Sequence, residues 1–322
     1  EYRGLFSLSK LLDMGFYHSL GFEINGIQRE IDGVNFEEKT MVEIHNGVLN
    51  REWVNYYLKK KKLLGFKRCI ILARQISNEV RCGEAEIYVF RPDQKSIIRY
   101  YRSFKLPPWI REVLRYRHIR ILLQNSRWTG LKRRLSKTAK YEPEDKLCLE
   151  LNRLFGRKKY PIKIYYSVAR MVNPTAEFYG KGYPLPYVVG VFDVDLDIKN
   201  IQIHHKTYLQ TIEKTLGQRL GYVKSVLESL GYKTIILFSG KKGYHIYIKN
   251  QKENIELRRE KLEAILNILG NNVDNYNFRD KNGGYDLHRI IKLPSTIDQT
   301  TGLTIEEKPR LIPRDIIYPC KQ

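Results

Sequence analysis

Apolar residues recur every three or four positions between 206 and 230: Leu209, Ile212, Leu216, Leu220, Val223, Leu227 and Leu230. This spacing predicts a long amphipathic helix, and Gly231 is placed to end it. ENIELRREKLEAILNIL, followed by Gly270, predicts another. Around them lie short apolar runs of strand character: IKIYYSVA, PYVVGVFDVDLD, KTIILFSG, YHIYIKN and LHRIIKLP. A strand, the 206–230 helix and a returning strand predict a βαβ unit, right-handed by default. Earlier in the chain, an apolar-periodic stretch near 6–20 predicts a helix. REIDGVNF and TMVEIHNG, joined by EEK, predict a hairpin. REWVNYYLKKKKLLGF predicts a helix closed by Gly65, and KRCIILAR a strand. NSRWTGLKRRLSKTAKYEPED is polar, basic and aperiodic. These patterns divide the chain into a domain at 1–125, a basic linker at 126–150 and a domain at 151–322. The class is α+β, with a sheet covered by helices on at least one side.

Composition adds a partner. Lys and Arg number 57 against 35 Asp and Glu, a formal charge of +22, and there are 23 tyrosines among 322 residues. Basic residues clustered with aromatics suit a polyanion, nucleic acid above all. No apolar run approaches the ~20 residues of a spanning helix, so a membrane partner is not expected. No signal peptide opens the chain at Glu1, from which at least a start methionine is expected to have been removed. The four scattered cysteines (Cys69, Cys82, Cys148 and Cys320) form no C-x-x-C pair. The expectation is a reduced, cytoplasmic protein without a zinc ribbon.

VFDVDLD places aspartates at every second position of an apolar run. On a strand, Asp193 and Asp195 project to one face, ~7 Å apart at their α-carbons, while Phe192, Val194 and Leu196 project to the other. Paired carboxylates repel unless a cation lies between them. Hard oxygen ligands favour Mg²⁺ or Mn²⁺ there. Asp197 shares the parity but sits at the strand exit, where a solvated carboxylate is expected. In FSGKKGYHIYI, the glycines Gly240 and Gly243 let the backbone approach a ligand. Ser239, Lys241, Lys242 and His245 supply a hydroxyl, two cations and an imidazole, the elements of a phosphate cradle. An acid pair facing a phosphate cradle indicates phosphoryl or nucleotidyl transfer.

With FDVDLD, SGKKGYH and DLHRIIKLPSTIDQTTGL in that order, residues 155–310 resemble the archaeo-eukaryotic primase superfamily. The resemblance implies a primase-type catalytic domain with an RRM-like sheet. It assigns Asp193 and Asp195 to two divalent metals. Ser239, Gly240, Lys242, Gly243 and His245 would contact the triphosphate, with one extra residue between the glycines. Arg289, Lys292 and Pro294 match the family's third motif. A third metal-binding acid falls by register on Asp280, with Asp286, nearer the strand, as the competitor. Asp298 and Thr300 stand where the family more often has histidine and lysine. The zinc-binding insertion of replicative primases is absent, and His204 and His205 are adjacent without cysteines, on the approach to a helix. The implied function is a DNA-templated nucleotidyltransferase, a primase or primase-polymerase, from a mobile element such as a plasmid or from an archaeal replication system. Its cofactor is Mg²⁺ or Mn²⁺. Its partners are single-stranded DNA, an NTP or dNTP, and a helicase or other replication proteins.

The amino-terminal part resembles, more loosely, a PD-(D/E)xK nuclease-like α/β fold. Asp32 and Glu43 fall on the acids, and His45 takes the place of the lysine that orients the attacking water. The alternatives to the primase reading are therefore a non-catalytic DNA-binding replication factor and a metal-dependent nuclease centred on Asp32 and Glu43. Lys59–Lys62, Lys132–Lys137 with Trp128, and Arg157–Lys159 are expected to line a path for template phosphates. No Walker A pattern is present, so an ATP-driven helicase is not expected in this chain.

Overall fold

The alternating runs at 29–47 form the expected hairpin. Strand Ile27–Asn35 pairs antiparallel with Thr40–Leu49, Gly33 lying opposite Val42. Helix Arg51–Leu63 follows, started by Asn50, whose side chain accepts the Trp53 N–H at 3.0 Å; such a cap satisfies a donor the helix leaves open. The chain leaves that helix through Gly65 at φ 73°. It returns as strand Arg68–Ile76, parallel to Thr40–Leu49. The computed structural model describes all residues except 25–26, 82, 84, 124–126, 131–142, 172–183, 197–200, 275–285, 288 and 321–322.

The protein is a mixed α+β fold whose chain divides into two units. The first contains 1–94, 197–214 and 313–322, and the second 95–196 and 215–312. This division runs differently from the one composition suggests. Strand Ile119–Leu123 pairs with Pro161–Ser167, so the 95–123 region shares a sheet with later residues.

The first unit is built on a seven-stranded sheet. Its order is Gln202–Ile203, Phe16–Ile24, Ile27–Asn35, Thr40–Leu49, Arg68–Ile76, Glu86–Arg91 and Ile316–Pro319. The expected helix near 6–20 is only Tyr2–Leu12, because Asp13 turns the chain at φ 52°. Beyond it the apolar positions alternate by twos from Phe16, and residues 16–24 are strand. Ile31, Val34, Met41, Val54, Tyr57 and Ile71 are among the residues of one buried cluster in this unit.

The second unit carries the aspartate strand, Val191–Asp195. The expected single strand PYVVGVFDVDLD is two. Pro184–Val189 belongs to a sheet with Glu256–Arg258 and Ala169–Met171, and Val191–Asp195 to one with Gly243–Lys249 and Lys233–Phe238. Gly190 makes the switch: a Cβ there would lie 2.4 Å from Ile248 Cγ1. The βαβ expectation also changes. Val191–Asp195 and Lys233–Phe238 are parallel, but Gly243–Lys249 lies between them, antiparallel to both. It is a split βαβ unit, and the inserted strand is the one that carries His245. Helix Tyr208–Ser229 buries Ile212, Leu216, Val223 and Leu227 as its periodicity requires, while Leu230 lies beyond it and is exposed. Among the described residues, no helix is long and apolar enough to cross a membrane.

Candidate active site

The antiparallel register sets the site. Asp193 pairs with His245 and Asp195 with Gly243. Directly opposed residues share a face, so both carboxylates lie on the His245 side of the sheet. Val191, Phe192 and Val194 are fully buried, and Asp193 itself is only 8% exposed. Asp193 Oδ1 and Asp195 Oδ1 are buried with no hydrogen-bond partner among the described residues. Burial pushes the Asp193 carboxyl up to about 6, with Asp274 adding to the rise and Lys292 pulling against it. Asp195 is raised by burial and by Asp193. Two desolvated carboxylate oxygens on one face, without a hydrogen-bond donor, would suit a cation.

Asp274 is the residue that sequence reasoning missed. Its N–H donates to the Asp193 carbonyl at 2.8 Å, and its Oδ2 accepts the Asp195 N–H at 2.6 Å. It thus lines the edge of the aspartate strand that Gly243–Lys249 does not occupy. Arg219 fixes this loop, donating to Asn272 O at 2.8 Å and Asp195 O at 3.1 Å, with Asp274 Oδ2 at 3.4 Å. Asp274 stands alone in the sequence NNVDN, with no periodicity or motif around it. Of the two expected candidates for a third acid, Asp280 lies outside the described residues. Asp286 accepts the Arg289 N–H at its backbone carbonyl, 3.1 Å. Asp197 also lies outside the described residues.

The glycines of the turn are closely packed where a Cβ would sit. A Cβ on Gly243 would lie 2.2 Å from Val194 O and 2.3 Å from Asp195 Oδ1. Gly240, at φ 91°, packs against Asp298, where a Cβ would come within 2.8 Å of the Asp298 Cβ. Gly243→Ala is therefore expected to cost about 3 kcal/mol, since a backbone carbonyl cannot yield as a side chain does. Gly217→Ala, in open space on helix Tyr208–Ser229, should instead stabilise by about 0.5–1 kcal/mol. Denaturant unfolding of the two variants reads both signs.

Positive charge gathers on the same side. Lys242 Nζ lies 3.1 Å from Asp195 Oδ2. Lys292 Nζ donates to Ser239 O at 2.7 Å and lies 2.7 Å from Asp298 Oδ2. Lys163 Nζ is 3.5 Å from that oxygen. Asp298 is fully buried; burial opposes its ionisation, but Lys292 and Lys163 hold its carboxyl below the usual range. Its Oδ1 accepts from the Thr300 N–H and hydroxyl, at 3.0 and 2.5 Å. The Asp298 and Thr300 pair that departs from the primase pattern is thus a buried anchor for two lysines. Burial lowers Lys163 and Lys241. His245 is 3% exposed, and burial, then Lys292, pushes it down to about 3, so it is neutral at pH 7. Its Nε2 is 3.6 Å from Asp193 Oδ1. Lys292 and Arg289 both act on Asp193 and His245. Ser239 is buried, its N–H donating to Gly243 O at 2.8 Å.

The amino-terminal acids form a separate cluster, in the first unit. Asp32 Oδ2 accepts the Ile44 N–H at 2.7 Å. Glu43 is buried and pairs with Lys60 Nζ at 2.5 Å. Lys60 also donates to Glu30 O, so it is not on the exposed helix face expected of Lys59–Lys62; Lys59 and Lys62 are. At His45, where the family's lysine would fall, Nδ1 meets the Tyr57 hydroxyl and Nε2 the Val48 carbonyl, both at 3.2 Å. Burial pushes Glu43 up to about 7 against the pull of Lys60, and raises Asp32 against its bond from Ile44. The folded state therefore holds the Glu43 proton between about 4.5 and 7 while the unfolded chain releases it, and stability falls as pH rises through that window. Lys60→Met should cost about 3 kcal/mol at pH 8 by stranding the carboxylate. Lys60→Met with Glu43→Gln should recover most of that loss and flatten the pH dependence, as read by unfolding at pH 5 and pH 8.

Of the expected template path, Lys132–Lys137 lie outside the described residues, and Arg157–Lys159 are exposed. Trp128 is 38% exposed, with the Arg120 guanidinium 4.9 Å from its ring centre.

No protein-family model matches the sequence, and no curated protein matches it. Among solved structures, the polymerase domain from Mycobacterium tuberculosis ligase D in complex with DNA is similar at a TM-score of 0.34. It is 14% identical, over 66% of this chain and 79% of that one.

Proposed function

We propose that the chain is a metal-dependent nucleotidyltransferase that joins NTPs or dNTPs on a single-stranded DNA template. The observation that carries this reading is the pair of orphaned oxygens on Asp193 and Asp195, beside lysines gathered on the same face. The reading takes Asp193 and Asp195 as the ligands for Mg²⁺ or Mn²⁺, with Asp274, bonded to the backbone of the same strand, as the candidate third acid. Bound there, divalent ions supply the charge that activates the attacking hydroxyl and stabilises the leaving pyrophosphate.

The protein's own contribution is position and potential. Lys242, half-exposed beside Asp195, neutralises phosphate oxygens as the triphosphate enters. Lys292 and Lys163, held by Asp298, keep a fixed positive potential behind it, which costs no reorganisation during reaction. Arg289 adds to that potential. His245, neutral, lies beside Asp193 without adding a positive charge that would compete with a cation. Arg219 holds the Asp274 loop against the aspartate strand. No protein base is required in this scheme. The charge of +22 and the Arg120–Trp128 stack support a nucleic-acid template, bound mainly through phosphates and stacking.

The amino-terminal acids fit a structural role better than cleavage, since Glu43 is committed to Lys60 and Asp32 to a backbone N–H. Incorporation of labelled NTPs and dNTPs on single-stranded DNA, with and without a primer, under Mg²⁺ and Mn²⁺, tests the proposal. DNA binding without incorporation would make the chain a replication factor that only binds. Nicking of plasmid lost in Asp32→Ala would make it a nuclease.

A further inference from the structure

The first unit contains a second group of metal-ligating side chains, unrelated to the carboxylate site. Asp13 ends helix Tyr2–Leu12, and His204 and His205 follow the short strand Gln202–Ile203. His204 Nε2 lies 3.7 Å from Asp13 Oδ1, and His205 Nε2 lies 3.9 Å from the same oxygen. One ligand atom from each of the three falls within 4.8 Å of the others. Zinc–nitrogen and zinc–oxygen bonds are about 2.0–2.2 Å, so atoms sharing one ion stand about 3–4 Å apart. The three are near that spacing before any ion draws them in.

The surroundings favour a cation. Asp13 sits at a helix C-terminus, where the free carbonyls already present negative charge and a carboxylate is disfavoured. It does so at φ 52°, a conformation in which glycine or asparagine is the usual residue. Lys206 supplies one positive partner, its Nζ 2.8 Å from Asp13. The His204 and His205 rings stack at 5.0 Å between centres. His205 is fixed from behind: its N–H donates to the buried Ser9 Oγ at 3.0 Å, and its Nδ1 lies 3.4 Å from the same oxygen. An Nδ1–H donated to Ser9 leaves the Nε2 lone pair for an ion, the arrangement that holds metal-bound imidazoles. His204 has a small cost to meet. The Lys206 N–H reaches its Nδ1 at 3.3 Å, and binding at Nε2 gives up that long contact. Lys206 is exposed, so water can replace it.

We infer that Asp13, His204 and His205 form a binding site for one transition-metal ion of the Zn²⁺ class, which staples the 201–207 segment to the end of helix Tyr2–Leu12. Two imidazoles and one carboxylate select such ions over Mg²⁺, and a water completes the set. The inference does not depend on the proposed function.

Isothermal titration of the chelator-treated full chain with ZnCl₂, and visible absorption with CoCl₂, test it. One equivalent is expected, and it should persist in the Asp193→Asn, Asp195→Asn double variant. His204→Ala and Asp13→Ala should each weaken it about tenfold or more. Lys206→Ala should tighten it about two- to fivefold, because it frees Asp13 from a competing ion pair. That gain cannot come from a folding defect. The site is overturned if no equivalent binds at micromolar zinc, if the equivalent survives both ligand variants, or if Lys206→Ala weakens it.

Discussion

Asp195→Asn is expected to lower metal-dependent nucleotide incorporation on the order of a thousandfold, and Asp193→Asn likewise, while DNA binding persists. A metal ligand is worth several kcal/mol of transition-state stabilisation, and each 1.36 kcal/mol is tenfold in rate. Stability should move the other way. Both carboxyls are raised by burial, so the folded apoprotein bears the cost of their charge at pH 7. The amide removes that cost, and the thermal midpoint without divalent ion should hold or rise. The sign also shows in pH. Folded Asp193 keeps its proton up to about 6, whereas its ordinary value is 3.8. The apoprotein therefore loses stability as pH climbs between those values, and Asp193→Asn should remove part of the slope. Loss of activity with retained or increased stability is the mark of a site maintained for function at a cost in folding. Primer extension by either variant near the unsubstituted rate would remove these carboxylates from the chemistry.

Asp274→Asn is expected to reduce incorporation nearly as far as Asp195→Asn, with the thermal midpoint little changed. The amide oxygen can still accept the Asp195 N–H, now 2.6 Å from Oδ2, so the substitution removes charge and keeps the bond. Asp274→Ala removes both, and should cost a further 1–3 kcal/mol by leaving that N–H unsatisfied. Steady-state incorporation and unfolding, measured on both, separate a charge at the site from a brace for the strand. Full activity in Asp274→Asn would make Asp274 a brace, and loss in Asp280→Ala instead would return the third acid to the position register suggests.

How far the site could be read in advance depended on whether its residues are neighbours along the chain. Asp193 and Asp195 share a strand, and alternation alone puts them on one face. Ser239 to His245 form one turn, and their chemistry is local. Asp274 and Asp298 are different. Each is a single acid, Asp274 in a loop and Asp298 on the short strand Ile297–Asp298, and each has partners distant in sequence: Asp195 and Arg219 for the first, Lys163 and Lys292 for the second. Lys60 looked like one of four exposed lysines, because a helix made of KKKK has no pattern to say which one turns inward. Only the position of Glu43 across the sheet decides that. The glycines of the turn were legible as sites of close approach; on the side a Cβ would take, Asp298 packs against Gly240 and Asp195 against Gly243.

By itself, the sequence determined the elements with strong periodicity, the helix Tyr208–Ser229 and the hairpin at 27–49 among them. It also determined the positive charge and the two carboxylates of the aspartate strand, because each follows from local spacing or from a sum over composition. Only the tertiary structure decided that the histidine strand inserts between the two parallel strands, that PYVVGVFDVD breaks at Gly190 between two sheets, and that Asp274 bonds the free edge of the aspartate strand. Those outcomes depend on which strand edges pair, and that is settled by contacts between segments far apart in the chain.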